Sequence, residues 1–305
     1  MTAPEALGTV GAARVGDGAE ELMSEAILDP HGAHADAPAI VAAPRLDVAP
    51  PVANGERRRA EARPLDLAVA VVAFEAASTI TSVLDRVPGQ VHGLAPRILV
   101  SDDGSSDPTG ALASAWAATT DLDAVVEVAA RNRGYGGNQK GCYRWALDNG
   151  VDVVVLLHGD AQYPPEMIDR LVGPLIDGSA DAVFGSRMMP PKGALAGRMP
   201  WNRFLGNRVL TAALNRLAGV RLTEWFSGFR AYRTSLLAEL ELDAMSDGFD
   251  FDTAIILSII ERGGRIAEVP IPTRYAGEVS RVPLLATGMA ALGHGWAHRR
   301  RSGER

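Results

Sequence analysis

Five apolar runs of strand length, with stretches of helical pattern between them, set the tightest limit on how this chain can fold. They are Leu65–Phe74 (LDLAVAVVAF), Pro96–Ser105 (PRILVSDDGS), Ala124–Ala130 (AVVEVAA), Val151–Leu157 (VDVVVLL) and Ala180–Ser186 (ADAVFGS). Helical pattern covers Ala76–Val87, Pro108–Ala118 and Gly137–Asp148. Strands alternating with helices of this length build β-α-β units and a mainly parallel sheet. Runs apolar along their whole length, not at every second residue, require a sheet covered by helices on both faces. The fold class is α/β.

Ligands of such sheets bind at the carboxyl ends of the strands. Three runs end there in polar, glycine-containing sequence: DDGSSD (102–107), RNRGYGG (131–137) and HGDAQ (158–162). Their side chains are expected to converge on one cleft. Asp107, just before Pro108, reads as a helix cap. The turn does not need both Asp102 and Asp103, so one of them is a candidate to hydrogen-bond a ligand. Gly134, Gly136 and Gly137 permit close backbone approach, and Lys140 adds a charge suited to phosphate. The spacing is neither a dinucleotide fingerprint nor a P-loop, and a plain glycine-rich turn explains it equally well. HGDAQ supplies donors suited to Mg²⁺ or Mn²⁺, or a single capping Asp before the helix at Pro165. In GFDFDTAIILSII (248–260), Asp250 or Asp252 either caps a helix or does chemistry. RYAGEVSRV (274–282) is a polar loop after the strand AEVPIP (267–272).

Composition removes several classes. A net charge of −7 over 305 residues argues against a general nucleic-acid binder. One cysteine, Cys142, excludes a disulfide framework and a multi-cysteine metal site, and reads as helix packing. No stretch approaches the ~18 apolar residues of a membrane span, and no secretory signal opens the chain. The expected location is the cytoplasm. Residues 1–63 are rich in Ala, Pro and Gly and hold no Phe, Tyr or Trp, which reads as a disordered leader with a short helix around Glu20–Leu28. A catalytic domain over 64–282 and an amphipathic basic tail over 283–305 complete the chain.

Taken together, the motifs resemble family 2 inverting glycosyltransferases of the GT-A fold, closest to the polyprenyl-phosphate (dolichol-phosphate) mannose and glucose synthases. HGDAQYPPEM resembles the family's Asp-x-Asp motif with its Gln and Pro-Pro-Glu. SDDGSSDPT resembles its Asp-Asp-Gly-Ser-x-Asp turn, GSRMM its Gly-Ser-Arg, and WFSGFRAYR its Ser-Gly-Phe/Tyr-Arg block. The resemblance spans about residues 66–282. It implies that Ala73, Phe74 and Glu75 cradle the base and ribose of a UDP- or GDP-sugar, with Asp103 and the adjacent Asp102 on the base. It implies that Asp160 and Gln162 bind Mg²⁺ or Mn²⁺ on the diphosphate, with His158 where the first Asp of the motif stands. Arg187, Arg203 and Arg281 would receive the phosphate of a polyprenyl phosphate acceptor. Two positions depart from the pattern: His158 itself, and Glu75-Ala76-Ala77 where Asn-Glu-Glu is usual.

Were the acceptor a hydroxyl, Glu224, four residues before Gly228, would be the base. The residues lean toward a phosphate instead. GRMPWNRFLGNRVLTAALNRLAG (197–219) sets Trp201, Leu205, Val209 and Leu210 among four arginines. Leu285, Met289, Leu292 and Trp296 recur ahead of HRRR (298–301). Such helices suit the inner face of a membrane, although core packing with a solvated basic end also accounts for them. The expected function is hexose transfer from a nucleotide sugar to polyprenyl phosphate. The alternatives are a soluble family 2 enzyme acting on a small-molecule hydroxyl, and a binding protein that has kept the fold without the chemistry. A sugar nucleotidyltransferase would need a glycine-rich basic loop after the first strand, which VVAFEAAST lacks.

Overall fold

A computed structural model describes residues 39–41, 65–189, 194–195, 197, 199–272 and 284–303. Its strands are β1 (Ala39–Val41), β2 (Leu67–Ala73), β3 (Arg97–Asp102), β4 (Ala124–Val128), β5 (Val153–His158), β6 (Ala182–Ser186), β7 (Arg230–Arg233) and β8 (Ile266–Pro270). They form one mixed sheet in the order β1-β8-β6-β7-β5-β2-β3-β4. Pairing is parallel from β5 through β2 and β3 to β4 and between β6 and β8, whereas β7 runs antiparallel to both its neighbours. Ala39–Val41, within the stretch read as a leader, pairs antiparallel with β8. The possible helix at 20–28 lies outside the described residues.

Unbroken apolar runs have the expected cause. Leu67, Val69, Val71 and Ala73 of β2 enter one hydrophobic core, and Ala68, Ala70 and Val72 enter another on the opposite face. β5 divides likewise, Val153, Val155 and Leu157 against Val154 and Leu156. Helices α1 (Ile80–Leu84), α2 (Thr109–Ala117) and α4 (Ile168–Ile176) supply the first core. The second takes residues from α3 (Tyr135–Asp148), α5 (Trp201–Ala218), α6 (Thr234–Leu237), α7 (Phe251–Glu261) and α8 (Leu284–Gly303).

One sequence expectation needs correction, and two elements add to the reading. Helix α1 is shorter than Ala76–Val87, and the segment before it is tied to the next loop: Ala76 N–H donates to Thr109 Oγ1 (2.8 Å) and Ala77 N–H to Asp107 Oδ2 (3.1 Å). The segment Arg230–Arg233 is a strand that its charged, aromatic sequence did not reveal. The C-terminal helix packs on α5 and α7, with Ala291 and His298 buried, which fits the core-packing reading of its apolar residues.

Candidate active site

The parallel register gathers three carboxyl ends. Ala73 pairs with Asp102, and Val72 with His158, so the three polar turns leave the sheet side by side. Backbone bonds then tie them together. Asp103 N–H donates to Ala73 O (2.9 Å), Gly159 N–H to Val72 O (2.9 Å), and Thr79 Oγ1 to Gly159 O (2.7 Å). Because β7 is antiparallel, its amino end lies at this same edge, and Glu224–Phe229 come with it. β6 ends there in Ser186-Arg187.

Of three non-glycine residues in the left-handed region among the described residues, two lie at this edge, Glu75 (φ 51°) after β2 and Ala161 (φ 62°) after β5, and the third is His92 (φ 50°). Each such conformation costs about 1–3 kcal/mol, and they concentrate where a side chain must be aimed at a ligand. Glu75 is held by Ser106, whose N–H (2.7 Å) and Oγ (2.8 Å) both donate to its Oε1. Phe74 stands exposed at the rim.

Asp102 is buried and turned into its own loop, accepting from Ser105 N–H (3.1 Å) and Oγ (2.5 Å). Asp103 accepts from Arg133 N–H (2.9 Å), Arg133 Nε (3.2 Å) and Gly134 N–H (3.1 Å), so it clasps the glycine-rich turn to β3. Asp107 Oδ1 takes the Thr109 N–H (3.0 Å) at the head of α2, the capping role read from sequence.

The glycine-rich turn serves packing rather than phosphate. Gly136 N–H donates to Asp247 O (2.7 Å), and a methyl on Gly134 or Gly136 would come 2.6 Å from backbone oxygens of residues 246–247. Lys140, expected on a diphosphate, is buried on that segment, with Nζ on Met245 O (2.9 Å) and Asp247 Oδ1 (2.6 Å).

In HGDAQ, the Gln162 N–H donates to Asp160 Oδ1 (3.1 Å) across the strained Ala161. Asp160 and Gln162 bring hard oxygen donors, which suit Mg²⁺ or Mn²⁺ sharing its shell with substrate phosphates and water. No group of three or more His, Cys, Asp or Glu placed to hold an ion occurs among the described residues. The Nε2 of His158 is turned toward Gly228. Its ring packs edge-on to Tyr163 (5.1 Å) and Tyr135 (5.8 Å), and its Nε2 is buried without a partner against Gly228. Burial pushes its pKa down, outweighing Asp160 and Asp252, which raise it.

Glu224, the expected base, is sealed from solvent and paired with Arg187. Its carboxylate has no solvent exposure and accepts from Arg187 N–H (2.7 Å), Arg187 Nε (2.9 Å), Arg187 Nη2 and Asn207 Nδ2 (2.9 Å). Oε1 takes three of these donors and Oε2 the fourth, and the carboxylate presents no surface to an acceptor hydroxyl. Beneath it lies Glu268 of β8, fully buried, which sequence reasoning missed. Burial pushes the Glu268 carboxyl up to about 7, and the bonds from Thr223 and the Glu224 amide pull the other way. Arg203 sits half-buried on the first turn of α5, and Arg281 lies outside the described residues. Asp252 accepts from Tyr135 Oη (2.9 Å) and pairs with the buried Arg230 (3.3 Å); Asp250 pairs with His294 of α8 (2.9 Å). Both acids hold the fold together.

Comparison with known proteins decides the family, since the profile of glycosyl transferase family 2 matches residues 68–241. The chain belongs to glycosyl transferase family 2. Similar members are the polyprenol monophosphomannose synthase of Mycolicibacterium smegmatis (34% identical, covering 62% of this chain and 71% of that protein) and the undecaprenyl-phosphate mannosyltransferase of Micrococcus luteus (35%, covering 57% and 70%). A dolichyl-phosphate hexose transferase of Haloferax volcanii is 31% identical over 75% of this chain and 91% of its own. Among solved structures, glucosyl-3-phosphoglycerate synthase of Mycobacterium tuberculosis, crystallised with Mn²⁺, UDP and glucosyl-3-phosphoglycerate, superposes with a TM-score of 0.58 at 23% identity, over 77% of this chain and 80% of that one. The fold is GT-A, and the enzyme class is that of a hexosyl-transferring family 2 glycosyltransferase.

Proposed function

We propose that the enzyme transfers a hexose, with inversion, from a UDP- or GDP-sugar to the phosphate of a polyprenyl phosphate. The observation that carries this reading is the buried pair of Glu224 and Arg187. A hydroxyl acceptor needs a base to take its proton, and the acid standing where that base was expected is sealed under an arginine. A phosphate acceptor is already anionic and needs a cation to receive it. Relatives named for transfer to lipid phosphates support the same choice.

On this reading, Ala73, Phe74, Glu75 and Asp103 line the place for the base and ribose. Asp160 and Gln162 would hold a divalent ion, which supplies charge stabilisation on the departing diphosphate. Arg187, with Arg203 and Arg281, would receive the acceptor phosphate and hold one of its oxygens in line with the anomeric carbon. That oxygen forms the new glycosidic bond as the bond to the nucleoside diphosphate breaks.

A lipid acceptor also needs a route from a bilayer. Helix α5 carries Asn207, bound to Glu224, on its inner side, and exposes Trp201 (63%), Leu205 and Val209 four residues apart on its outer side. Neither α5 nor α8 contains a single Asp or Glu, and together they carry six arginines. An apolar stripe on an acid-free basic helix suits the headgroup layer of an anionic membrane. No helix among the described residues is long and apolar enough to cross one.

The test is a screen of purified enzyme with UDP- and GDP-sugars and Mg²⁺ or Mn²⁺, with and without a short polyprenyl phosphate. Nucleoside diphosphate release and glycolipid are read together. Release that depends on the lipid phosphate supports the proposal and identifies the donor. Donor binding without lipid-dependent turnover rejects it.

A further inference from the structure

A buried carboxylate under the acceptor arginine has no role in the chemistry described so far. Glu268 lies in β8, opposite Phe184 of β6, and is wholly buried. Its Oε2 accepts from Thr223 N–H (2.7 Å), and its Oε1 from Thr223 Oγ1 (2.7 Å) and Glu224 N–H (3.1 Å). Thr223 Oγ1 lies 2.7 Å from Ser186 Oγ, which accepts from Met188 N–H (3.2 Å). When Glu268 is ionised it accepts only, and donors then run one way: Met188 N–H to Ser186, Ser186 O–H to Thr223, Thr223 O–H to Glu268. This chain grips the Gly-Ser-Arg turn on both sides of Arg187, and the Glu224 amide bond fixes the carboxylate that orients the guanidinium.

We propose that Glu268 is a positioning residue for Arg187, setting the guanidinium at the place of the acceptor phosphate through Thr223 and Glu224. It touches neither donor nor acceptor. A buried acid in a strand is costly unless it is fully hydrogen-bonded, and here every bond it makes leads toward Arg187. An amide at this position would present an N–H toward either the Thr223 or the Glu224 N–H, so it cannot satisfy all three donors at once. The inference rests on the reading of Arg187 as the acceptor-phosphate ligand.

The test uses the full-length enzyme with three variants: Glu268→Gln, Thr223→Val, which removes only the middle hydroxyl, and Thr223→Ser, which restores it. Two quantities are read: steady-state constants for donor and acceptor, and the Arg187 Nε–Hε resonance in ¹⁵N spectra, assigned by its loss in Arg187→Lys. Expected in Glu268→Gln and Thr223→Val is an acceptor KM raised about tenfold, the scale of one lost charge-assisted hydrogen bond. The donor KM and the kcat at saturating acceptor should stay within about twofold, and Thr223→Ser should resemble the wild type. The Nε–Hε signal should shift or exchange faster in the first two variants and stay in place in the serine variant. A merely structural role would lower the melting temperature and leave the acceptor-specific split absent. Should Glu268→Gln fail to fold, Thr223→Val carries the test. An unchanged acceptor KM with an unchanged resonance in Thr223→Val overturns the inference. Should the wild type turn over no lipid phosphate, the proposed function fails, and the resonance alone decides the positioning claim: moved in Thr223→Val upholds it, unmoved overturns it.

Discussion

Arg187 and Glu224 form a buried ion pair at the lip of the cleft, the guanidinium side chain 13% exposed and the carboxylate not at all. Three nitrogens of one residue converge on the other, and Asn207 of α5 adds a fourth donor. The pair turns an acid into the seat of a cation.

Removing one member should therefore damage stability and acceptor binding together. Breaking a buried pair costs about 3–5 kcal/mol, because the other charge is left without a partner. Glu224→Ala is expected to lose stability on that scale in urea unfolding. Glu224→Gln, which keeps the shape, is expected to raise the acceptor KM with kcat largely retained. A collapse of kcat at unchanged KM would instead mark Glu224 as a base.

Asp160→Asn removes the only carboxylate in the HGDAQ turn. Outer-shell changes at metal sites cost roughly 10–100-fold in affinity, and a direct ligand should cost more. Calorimetry of UDP or GDP with and without Mn²⁺ is expected to show metal-enhanced binding in the wild type and none in the variant. His158→Ala should leave that enhancement in place, because its buried Nε2 faces Gly228.

Gly228 fits because it lacks a side chain. A methyl there would overlap the imidazole of His158 and come 2.8 Å from Tyr135 Oη. Overpacking of this kind costs about 1–3 kcal/mol, so Gly228→Ala should lower the melting temperature in thermal unfolding.

Glu268 makes stability depend on pH in a stated direction. An acid whose folded pKa lies above its unfolded one binds its proton more tightly in the folded protein. Its contribution is whole below the ordinary carboxylate range and declines as pH rises through about 7. Melting temperatures between about pH 5 and 8 should show that decline, and Glu268→Gln should flatten the slope even where it lowers every value.

Docking of α5 on a bilayer should be visible by sedimentation with vesicles. Binding is expected with vesicles containing anionic lipid, to weaken with added salt, and to fall in Trp201→Ser/Val209→Ser. Equal binding to neutral vesicles would contradict the electrostatic part.

Much of this was legible beforehand. The unbroken apolar runs dictate a two-faced sheet, and the polar strand ends do come together at one edge of it. β7 escaped because its four residues, Arg-Ala-Tyr-Arg, carry no strand pattern; Arg230 is buried only because Asp252 and three backbone oxygens surround it. Lys140 was misread because its partner, Asp247, lies more than a hundred residues away, whereas the glycines form the plain packing turn that was one of their two readings. Glu268 did leave a signal, a lone acid inside the apolar run AEVPIP, which only a buried set of donors could accommodate.

The most direct measurement compares two lipids that differ in one group, a polyprenyl phosphate and the same polyprenol, with wild type and Arg187→Ala. The expected result is hexosyl transfer to the phosphate alone, with the acceptor KM rising at least about tenfold in Arg187→Ala while donor binding holds. Transfer to the free alcohol, or an Arg187→Ala enzyme with an unaltered acceptor KM, would contradict the account.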